Sequence, residues 1–239
     1  MEKEAARFLR RPLFWKAARI FAAAIWVKQG AGVLCGHFLE SGAGGFGMKF
    51  ENIVLASASP RRKELLLQIG IHPEIVVSHV EEEVTSDVPS EVVMELAAQK
   101  AMDVAQSQKP GTIVIGSDTV VAVDGRILGK PGSHEEAYGM VRSLSGRSHQ
   151  VYTGVCIVKR GTPDKSLTFF DETEVEVSSL SEEELREYAA MEEPKDKAGA
   201  YAVQGFFARY IRSLRGSYAN VMGLPVSLLY EKLKTMEQD

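Results

Sequence analysis

One carboxylate stands inside a segment that is otherwise typical of a buried strand. Asp118 lies in residues 112–123, TIVIGSDTVVAV, which are rich in β-branched residues. A carboxylate is costly to bury in such surroundings unless it is paired or bound to a metal ion. The nearby Gly116 permits close approach of another backbone. We therefore predict a functional role for Asp118, and the alternatives are a satisfied core aspartate or a bulge at Gly116 and Ser117.

Hydroxyls and cations are concentrated in a second segment, residues 57–63, SASPRRK, which follows the short apolar run 53–55. Ser59 and Pro60 are typical of a helix N-cap and a first helical residue. The N-terminus of a helix offers unpaired N–H groups and the positive end of a dipole, and both favour anions. The pattern predicts a site for a polyphosphate. A capped surface helix with solvated basic residues is the alternative.

Other polar groups would gain a function if the fold brought them to Asp118. The acidic run 81–83, EEE, would then supply the hard oxygen ligands that Mg²⁺ prefers, and is otherwise a solvated loop. The segment 195–205, KDKAGAYAVQG, combines small residues with a tyrosine and a glutamine, which suits the edge of a base. Three lysines would neutralise phosphate charge there and would otherwise be surface residues: Lys100, Lys130 and Lys197.

The hydrophobic patterns that must position these groups alternate between strand and helix. Strands are expected at 53–55, 75–77, 112–123, 127–128, 151–159, 167–177 and 207–214. Helices are expected at 61–69, 92–107, 133–144, 181–191 and 225–233. Asp124 and Gly125 predict a hairpin between two strands, so the sheet is not purely parallel. The expected fold class is therefore α/β with a mixed sheet and flanking helices.

The composition excludes several classes of protein. Of the 239 residues, 45% are hydrophobic and 25% are charged, as in ordinary globular domains rather than fibrous or wholly disordered chains. The two cysteines, Cys35 and Cys156, lie far apart, which disfavours a disulfide framework or a zinc site and fits a reducing compartment. A net charge of −4 disfavours a strongly basic nucleic-acid binder but not a local basic pocket. We expect a cytoplasmic protein with no nucleic-acid or membrane partner.

The first 47 residues differ from the rest in charge. They carry seven basic and three acidic residues, whereas the whole chain has a net charge of −4. Lys16 and Arg19 interrupt their apolar stretch, which falls short of the ~18–20 residues of a spanning helix. We expect this part to be an extension that is disordered or lies upstream of the true start at Met48, and residues 48–239 to form the functional domain. An amphipathic interfacial helix is the alternative for the extension.

Seven motifs, in the order of the chain, resemble those of the Maf family of nucleotide pyrophosphatases. They are LASASPRR at 55–62, VEE at 80–82, LAAQKA at 96–101, IGSDTV at 115–120, GKP at 129–131, LSG at 144–146 and DKAGAYAVQG at 196–205. The resemblance extends from about residue 52 to the end of the sequence. It leaves the first 47 residues without a counterpart.

This resemblance implies an elongated fold with a central cleft, similar to that of the inosine triphosphate pyrophosphatases. It implies a house-cleaning enzyme that hydrolyses nucleoside triphosphates to the monophosphate and pyrophosphate with a divalent cation, Mg²⁺ or Mn²⁺. Thr119 and Gln204 match the branch of the family that acts on dTTP and UTP, and modified pyrimidine nucleotides stay open as substrates. A homodimer is compatible with the resemblance.

The resemblance also implies roles for individual residues. The general base corresponds to Asp118, and the positions of substrate specificity are Arg61, Thr119 and Gln204. The phosphate-binding residues are Ser57, Arg61, Lys100, Lys130 and Lys197, and the metal ligands are Glu82 and Asp118. Asp118 could orient the attacking water, hold the metal ion, or do both.

Two further expectations concern the geometry and the function of this site. Thr119 and Asp118 are adjacent in a strand, so both reach one cleft only if the strand is locally bent, which Gly116 permits. The rival function is a nucleotide-binding regulatory protein of septum formation that does not cleave its ligand. The presence of Asp118, Glu82 and Lys100 argues against that rival.

Overall fold

The computed structural model describes residues 50–238, in which seven strands form a mixed sheet. The strands are β1 Ile53–Leu55, β2 Glu74–Ile75, β3 Ile113–Val123, β4 Arg126–Leu128, β5 Ser148–Lys159, β6 Lys165–Val177 and β7 Ile211–Arg215. Their order is β2-β1-β3-β5-β6-β7, and β4 pairs with β3. β1 is parallel to β2 and β3, and every other pairing is antiparallel. The expected extension of residues 1–47 lies outside the described residues.

Helices cover both faces of this sheet. They are α1 Pro60–Gln68, α2 Pro89–Ala105, α3 His134–Leu144, α4 Glu182–Ala189, α5 Tyr218–Met222 and α6 Val226–Gln238. Short 3₁₀ helices lie at Glu193–Asp196, Ala198–Ala200 and Phe206–Tyr210. The expected α/β class with a mixed sheet and flanking helices is confirmed. Within residues 50–238, no helix combines the length and the apolar character needed to cross a membrane.

The alternation of side chains along β3 divides the core between the two faces. Ile113 and Ile115 pack with buried residues of α1 and α6, whereas Val114 packs with the alanines of α2. This is the period of two that a strand buried on both faces requires. The position of Asp118 in β3 is therefore fixed by apolar neighbours on both sides.

Two glycines let α2 lie unusually close to the sheet. A Cβ atom on Gly116 of β3 would overlap the carbonyl oxygen of Ala97 and would lie 2.7 Å from Ala101 N. A Cβ atom on Gly154 of β5 would overlap the carbonyl of Val93. The expectation that Gly116 permits a close backbone approach is confirmed, and the approaching backbone is that of α2.

The structure of residues 207–214 differs from the expectation. Residues 207–214 were expected to form one strand, which is wrong for the first half, because Phe206–Tyr210 is a 3₁₀ helix and β7 follows it. Phe207 and Tyr210 are both buried in one cluster. Residues three apart lie on one side of a 3₁₀ helix, whereas a strand would send them to opposite faces.

Candidate active site

A cleft of about 550 Å³ opens beside the middle of β3. On this edge β1 pairs with β3 as far as Ile115, and β4 pairs with it from Val121 onwards. Among residues 50–238, no strand covers the edge between these two points. The loop after β1 and the loop after β4 border the opening, so side chains from several parts of the sequence meet there.

All nine residues that the sequence analysis proposed for the site line this one cleft. They are Ser57, Arg61, Glu82, Lys100, Asp118, Thr119, Lys130, Lys197 and Gln204. Their convergence supports the expectation of a central cleft. Their individual roles stay predictions.

Lys100 of α2 lies between two carboxylates. Its Nζ atom is 2.5 Å from Asp118 Oδ1 and 2.9 Å from Glu82 Oε1. The side chains of Lys100 and Asp118 are 16% and 18% exposed, so this pair is largely shielded, whereas Glu82 is 48% exposed. Of the acidic run 81–83, only Glu82 is brought to Asp118, because Glu81 and Glu83 do not line the cleft.

Glu82 belongs to a strap, residues 77–87, that runs back along α2. Within residues 50–238 the strap makes no backbone-to-backbone hydrogen bond. Side chains four residues apart on α2 hold it instead: Glu91 accepts from Ser86, Glu95 from Thr85, Gln99 from Glu83 N, and Asp103 from Ser78 and His79 N. Hydrogen bonds from Thr85 and Ser78 lower the pKa of Glu95 and of Asp103, respectively.

We expect Gln99→Leu to loosen the strap without unfolding the sheet. Gln99 accepts from Glu83 N at 3.0 Å and donates to Glu83 O at 2.6 Å, and leucine loses both bonds. At ~0.5–1.5 kcal/mol for each bond, amide exchange at Glu83 should become roughly tenfold faster. Hydrogen–deuterium exchange with mass spectrometry measures this. Gln106→Leu at the exposed C-cap of the same helix is the control, and equal exchange in both variants would contradict the expectation.

Thr119 reaches the same cleft from the opposite face of β3. Its Oγ1 atom lies 2.9 Å from Thr153 Oγ1 and accepts from Arg62 Nη2 at 3.2 Å. β3 and β5 keep an unbroken register from Ile113 to Ala122, so no β-bulge interrupts β3 at Gly116 or Ser117. The uncovered edge of β3 explains the geometry instead, since side chains of both faces border the opening there.

Arg62 is the functional candidate that sequence reasoning counted among the cations but gave no role of its own. Its guanidinium donates to Ser57 Oγ at 2.9 Å, to Gly223 O at 2.8 Å and to Thr119 Oγ1 at 3.2 Å. Burial lowers the pKa of Arg62, and the nearby Asp118 carboxylate acts in the opposite direction. Arg62 therefore joins the loop after β1, strand β3 and the turn after α5 beneath the cleft.

The start of α1 matches the expected anion site only in part. Ser59 occupies the N-cap position and Pro60 follows, but the Ser59 side chain makes no capping bond. Ser57 Oγ instead accepts from Ser59 N at 3.3 Å. Arg61 lines the cleft, whereas Lys63 is exposed and does not. The first-turn N–H groups and Arg61 remain the donors that could meet an anion.

The segment 197–207 closes the other side of the cleft. Tyr201 is buried and its hydroxyl lies 2.7 Å from Nε2 of the buried His149. Burial lowers the pKa of His149 to about 4, so this imidazole is neutral at neutral pH. Lys197 pairs with Asp196, and Gln204 is exposed toward the opening.

The donors in the cleft suit a hard divalent cation. Glu82 and Asp118 each direct a carboxylate oxygen at Lys100 Nζ and so lie close to one another, and Mg²⁺ in proteins is held by one or two carboxylates together with phosphate oxygens and water. Within residues 50–238, no cluster of three or more acidic, histidine or cysteine side chains could hold a metal ion alone. The residues thus fit a cation that is shared with a bound phosphate.

The fold and the cleft define an α/β protein whose site combines two carboxylates with several cations, an arrangement suited to a polyphosphate. Residues 52–236 match the family described as Maf-like protein, and the chain belongs to the Maf family.

Two curated relatives and one solved structure are similar to this chain. The dTTP/UTP pyrophosphatase of Lachnoclostridium phytofermentans is 47% identical over 184 residues, which cover 76% of this chain and 93% of that protein. The dTTP/UTP pyrophosphatase of Bacillus cereus is 47% identical over 194 residues, which cover 81% and 94%. The Ham1 protein of Staphylococcus aureus is 15% identical with a TM-score of 0.44, over 77% of this chain and 98% of that one.

Proposed function

We propose that this protein hydrolyses dTTP and UTP to the nucleoside monophosphate and pyrophosphate, as a house-cleaning enzyme. The observation that carries the proposal is the shielded contact of Asp118 with Lys100, in a cleft that also holds Glu82 and Arg61. The names of relatives that are 47% identical and align over 93% or more of their own length support the choice of substrates. Modified pyrimidine triphosphates belong to the same chemical class.

We assign the triphosphate to the cations of the cleft. Arg61, Lys130 and Lys197 line it, and the first turn of α1 borders it. These donors neutralise negative charge that develops on the phosphate oxygens as the bond between the α- and β-phosphates breaks. Pyrophosphate is then the leaving group.

Asp118 is the group that we assign to the attacking water. A carboxylate can accept the water's proton as the oxygen approaches phosphorus. Lys100 fixes the orientation of this carboxylate through the 2.5 Å contact and is close enough to reach a phosphate oxygen as well. Glu82 and Asp118 would hold a divalent cation, Mg²⁺ or Mn²⁺, which when bound supplies a Lewis acid for the phosphate oxygens.

The base is assigned to Thr119 and Gln204, which line the same cleft. A glutamine amide offers two donors and an acceptor, which match O4 and N3–H of uracil and thymine. We expect Gln204→Glu to raise KM for UTP and dTTP roughly tenfold, because an acceptor-only carboxylate leaves O4 unpaired. Steady-state kinetics with both substrates measure this, and Gln68→Glu on exposed α1 is the control. An unchanged KM and base ranking would remove Gln204 from base recognition.

A panel of nucleoside triphosphates tests the proposed function. Turnover with Mg²⁺ is followed by anion-exchange chromatography for dTTP, UTP, CTP, dATP and GTP. We expect the highest kcat/KM for dTTP and UTP, with monophosphate and pyrophosphate as products. Binding without turnover would support the rival, a regulatory nucleotide-binding protein, and release of orthophosphate would contradict the assigned bond.

We further infer that the protein acts in the cytoplasm as a homodimer, without a nucleic-acid or membrane partner. Support comes from the net charge of −4 and from the resemblance to the family. Sedimentation of the full chain with and without UTP tests the oligomeric state.

A further inference from the structure

Glu193 has no part in the mechanism above, although it lies directly behind the segment 197–207. Its carboxylate accepts three hydrogen bonds, from Tyr188 Oη at 2.9 Å, from Phe206 N at 2.7 Å and from Phe207 N at 3.2 Å. No lysine, arginine or histidine within residues 50–238 pairs with it. A partly shielded carboxylate without a cation is stabilised here by N–H and O–H donors alone.

Two of these donors are backbone amides at the start of the 3₁₀ helix Phe206–Tyr210. The first amides of a helix have no partner within the helix, and a side-chain oxygen that accepts from them fixes where the helix begins. The contact at Gly205 is equally close, since a Cβ atom there would overlap the Glu193 carboxylate. Glu193 therefore sets the position of the backbone from residue 205 to residue 207.

Gln204 immediately precedes this fixed stretch. Three residues earlier, Tyr201 is held by His149, so the backbone on both sides of Gln204 is anchored. The Gln204 side chain itself is exposed and makes no hydrogen bond to other residues of the range 50–238. Its reach into the cleft thus depends on the two anchors rather than on contacts of its own.

We propose that Glu193 is a positioning residue for base selection, which holds Gln204 at the depth where its amide meets a pyrimidine. The proposal rests on the function proposed above, in which Gln204 reads the base. Recognition by an amide requires both of its partners within hydrogen-bond distance, and a shift of the backbone by one ångström is enough to lose one of them. The cations assigned to the phosphates, Arg61, Lys130 and Lys197, lie outside residues 205–207.

The test is Glu193→Gln in the full-length enzyme. Glutamine keeps the shape and one acceptor oxygen, so one of the two backbone amides loses its partner. We expect KM for UTP and dTTP to rise roughly tenfold, kcat to change less than about threefold, and the preference over CTP and dATP to fall by a similar factor. A merely structural role would lower the melting temperature and reduce turnover of every substrate equally.

Two matched variants separate these outcomes. Glu192→Gln changes the adjacent glutamate, which is exposed and pairs with Lys195, and should leave the base preference unchanged. Tyr188→Phe removes the hydroxyl but leaves both amide contacts of Glu193, and should keep most of the preference. If Tyr188→Phe loses as much preference as Glu193→Gln, the Tyr188 hydroxyl rather than the two amide contacts of Glu193 positions Gln204, and the proposal is wrong.

Failure of the inference can be told from failure of the proposed function. If Gln204→Glu alters the base ranking and Glu193→Gln does not, Gln204 reads the base without help from Glu193, and only the inference falls. If neither variant alters the ranking, the assignment of Gln204 to the base is wrong, and the inference about Glu193 is wrong as well.

Discussion

We expect Asp118→Asn to lower kcat for UTP by about 10²- to 10⁴-fold, the usual effect of removing a general base. Asparagine keeps the shape of the side chain but can neither accept the proton of the attacking water nor balance Lys100, which lies 2.5 Å away. The cations assigned to the phosphates are unchanged in this variant, so UTP should still bind within about tenfold of the normal Kd. Single-turnover kinetics and isothermal titration calorimetry separate the two effects.

The matched control for this variant is Asp124→Asn. Asp124 lies at the end of the same strand in the hairpin turn with φ of 50°, a backbone conformation that asparagine also tolerates. It pairs with Arg147 at an exposed site away from the cleft. Asp124→Asn should therefore keep normal turnover, and normal turnover in Asp118→Asn would remove Asp118 from the mechanism.

The second large effect is expected for Gly154→Ala, which should destabilise the whole fold. The added methyl group would overlap the carbonyl of Val93 and lie 2.8 Å from Met94 N, so α2 has to move away from the sheet. Overpacking of this kind costs about 1–3 kcal/mol, and in a domain of this size each kcal/mol lowers Tm by roughly 2–4 °C. Turnover should fall as well, because α2 carries Lys100.

Gly139→Ala provides a control of opposite sign. Gly139 lies in the exposed part of α3, and a Cβ atom there would meet nothing within 4 Å. Alanine is favoured over glycine in a helix by ~0.5–1 kcal/mol, so Tm should rise slightly. Differential scanning fluorimetry compares both variants with the parent protein, and an equal Tm for Gly154→Ala would show that α2 is not held at the expected distance.

Local signals in the sequence predicted most elements of this fold. Ser181 and Glu184 form the expected capping box at the start of α4, and Asp124 and Gly125 both adopt positive φ in the expected hairpin. Such signals depend on residues within a few positions of one another. The short helix α5 went unpredicted, although Ser217 accepts from Asn220 N at its start, because five residues are too few to show a helical period.

Contacts between residues that are far apart in the sequence could not be predicted from it. Arg61 and Arg62 are neighbours with the same chemistry, and only the position of the Gly223 carbonyl determines that Arg62 is the one held beneath the cleft. The uncovered edge of β3 also depends on where β1 ends and β4 begins, which follows from strand pairing rather than from the residues near Asp118. The gathering of the proposed residues was predictable from motifs, whereas the strap and Glu193 were not.

The bond from Arg62 Nε to Gly223 O joins residues that are 161 positions apart, and Ser117 Oγ donates to the same carbonyl. During translation, the base of the cleft is therefore incomplete until Gly223 has been synthesised and has left the ribosome. Sheet pairing of β1, β3 and β5 can form earlier, because those strands emerge first. A nascent chain would thus complete its site only after the strands that carry it have been synthesised.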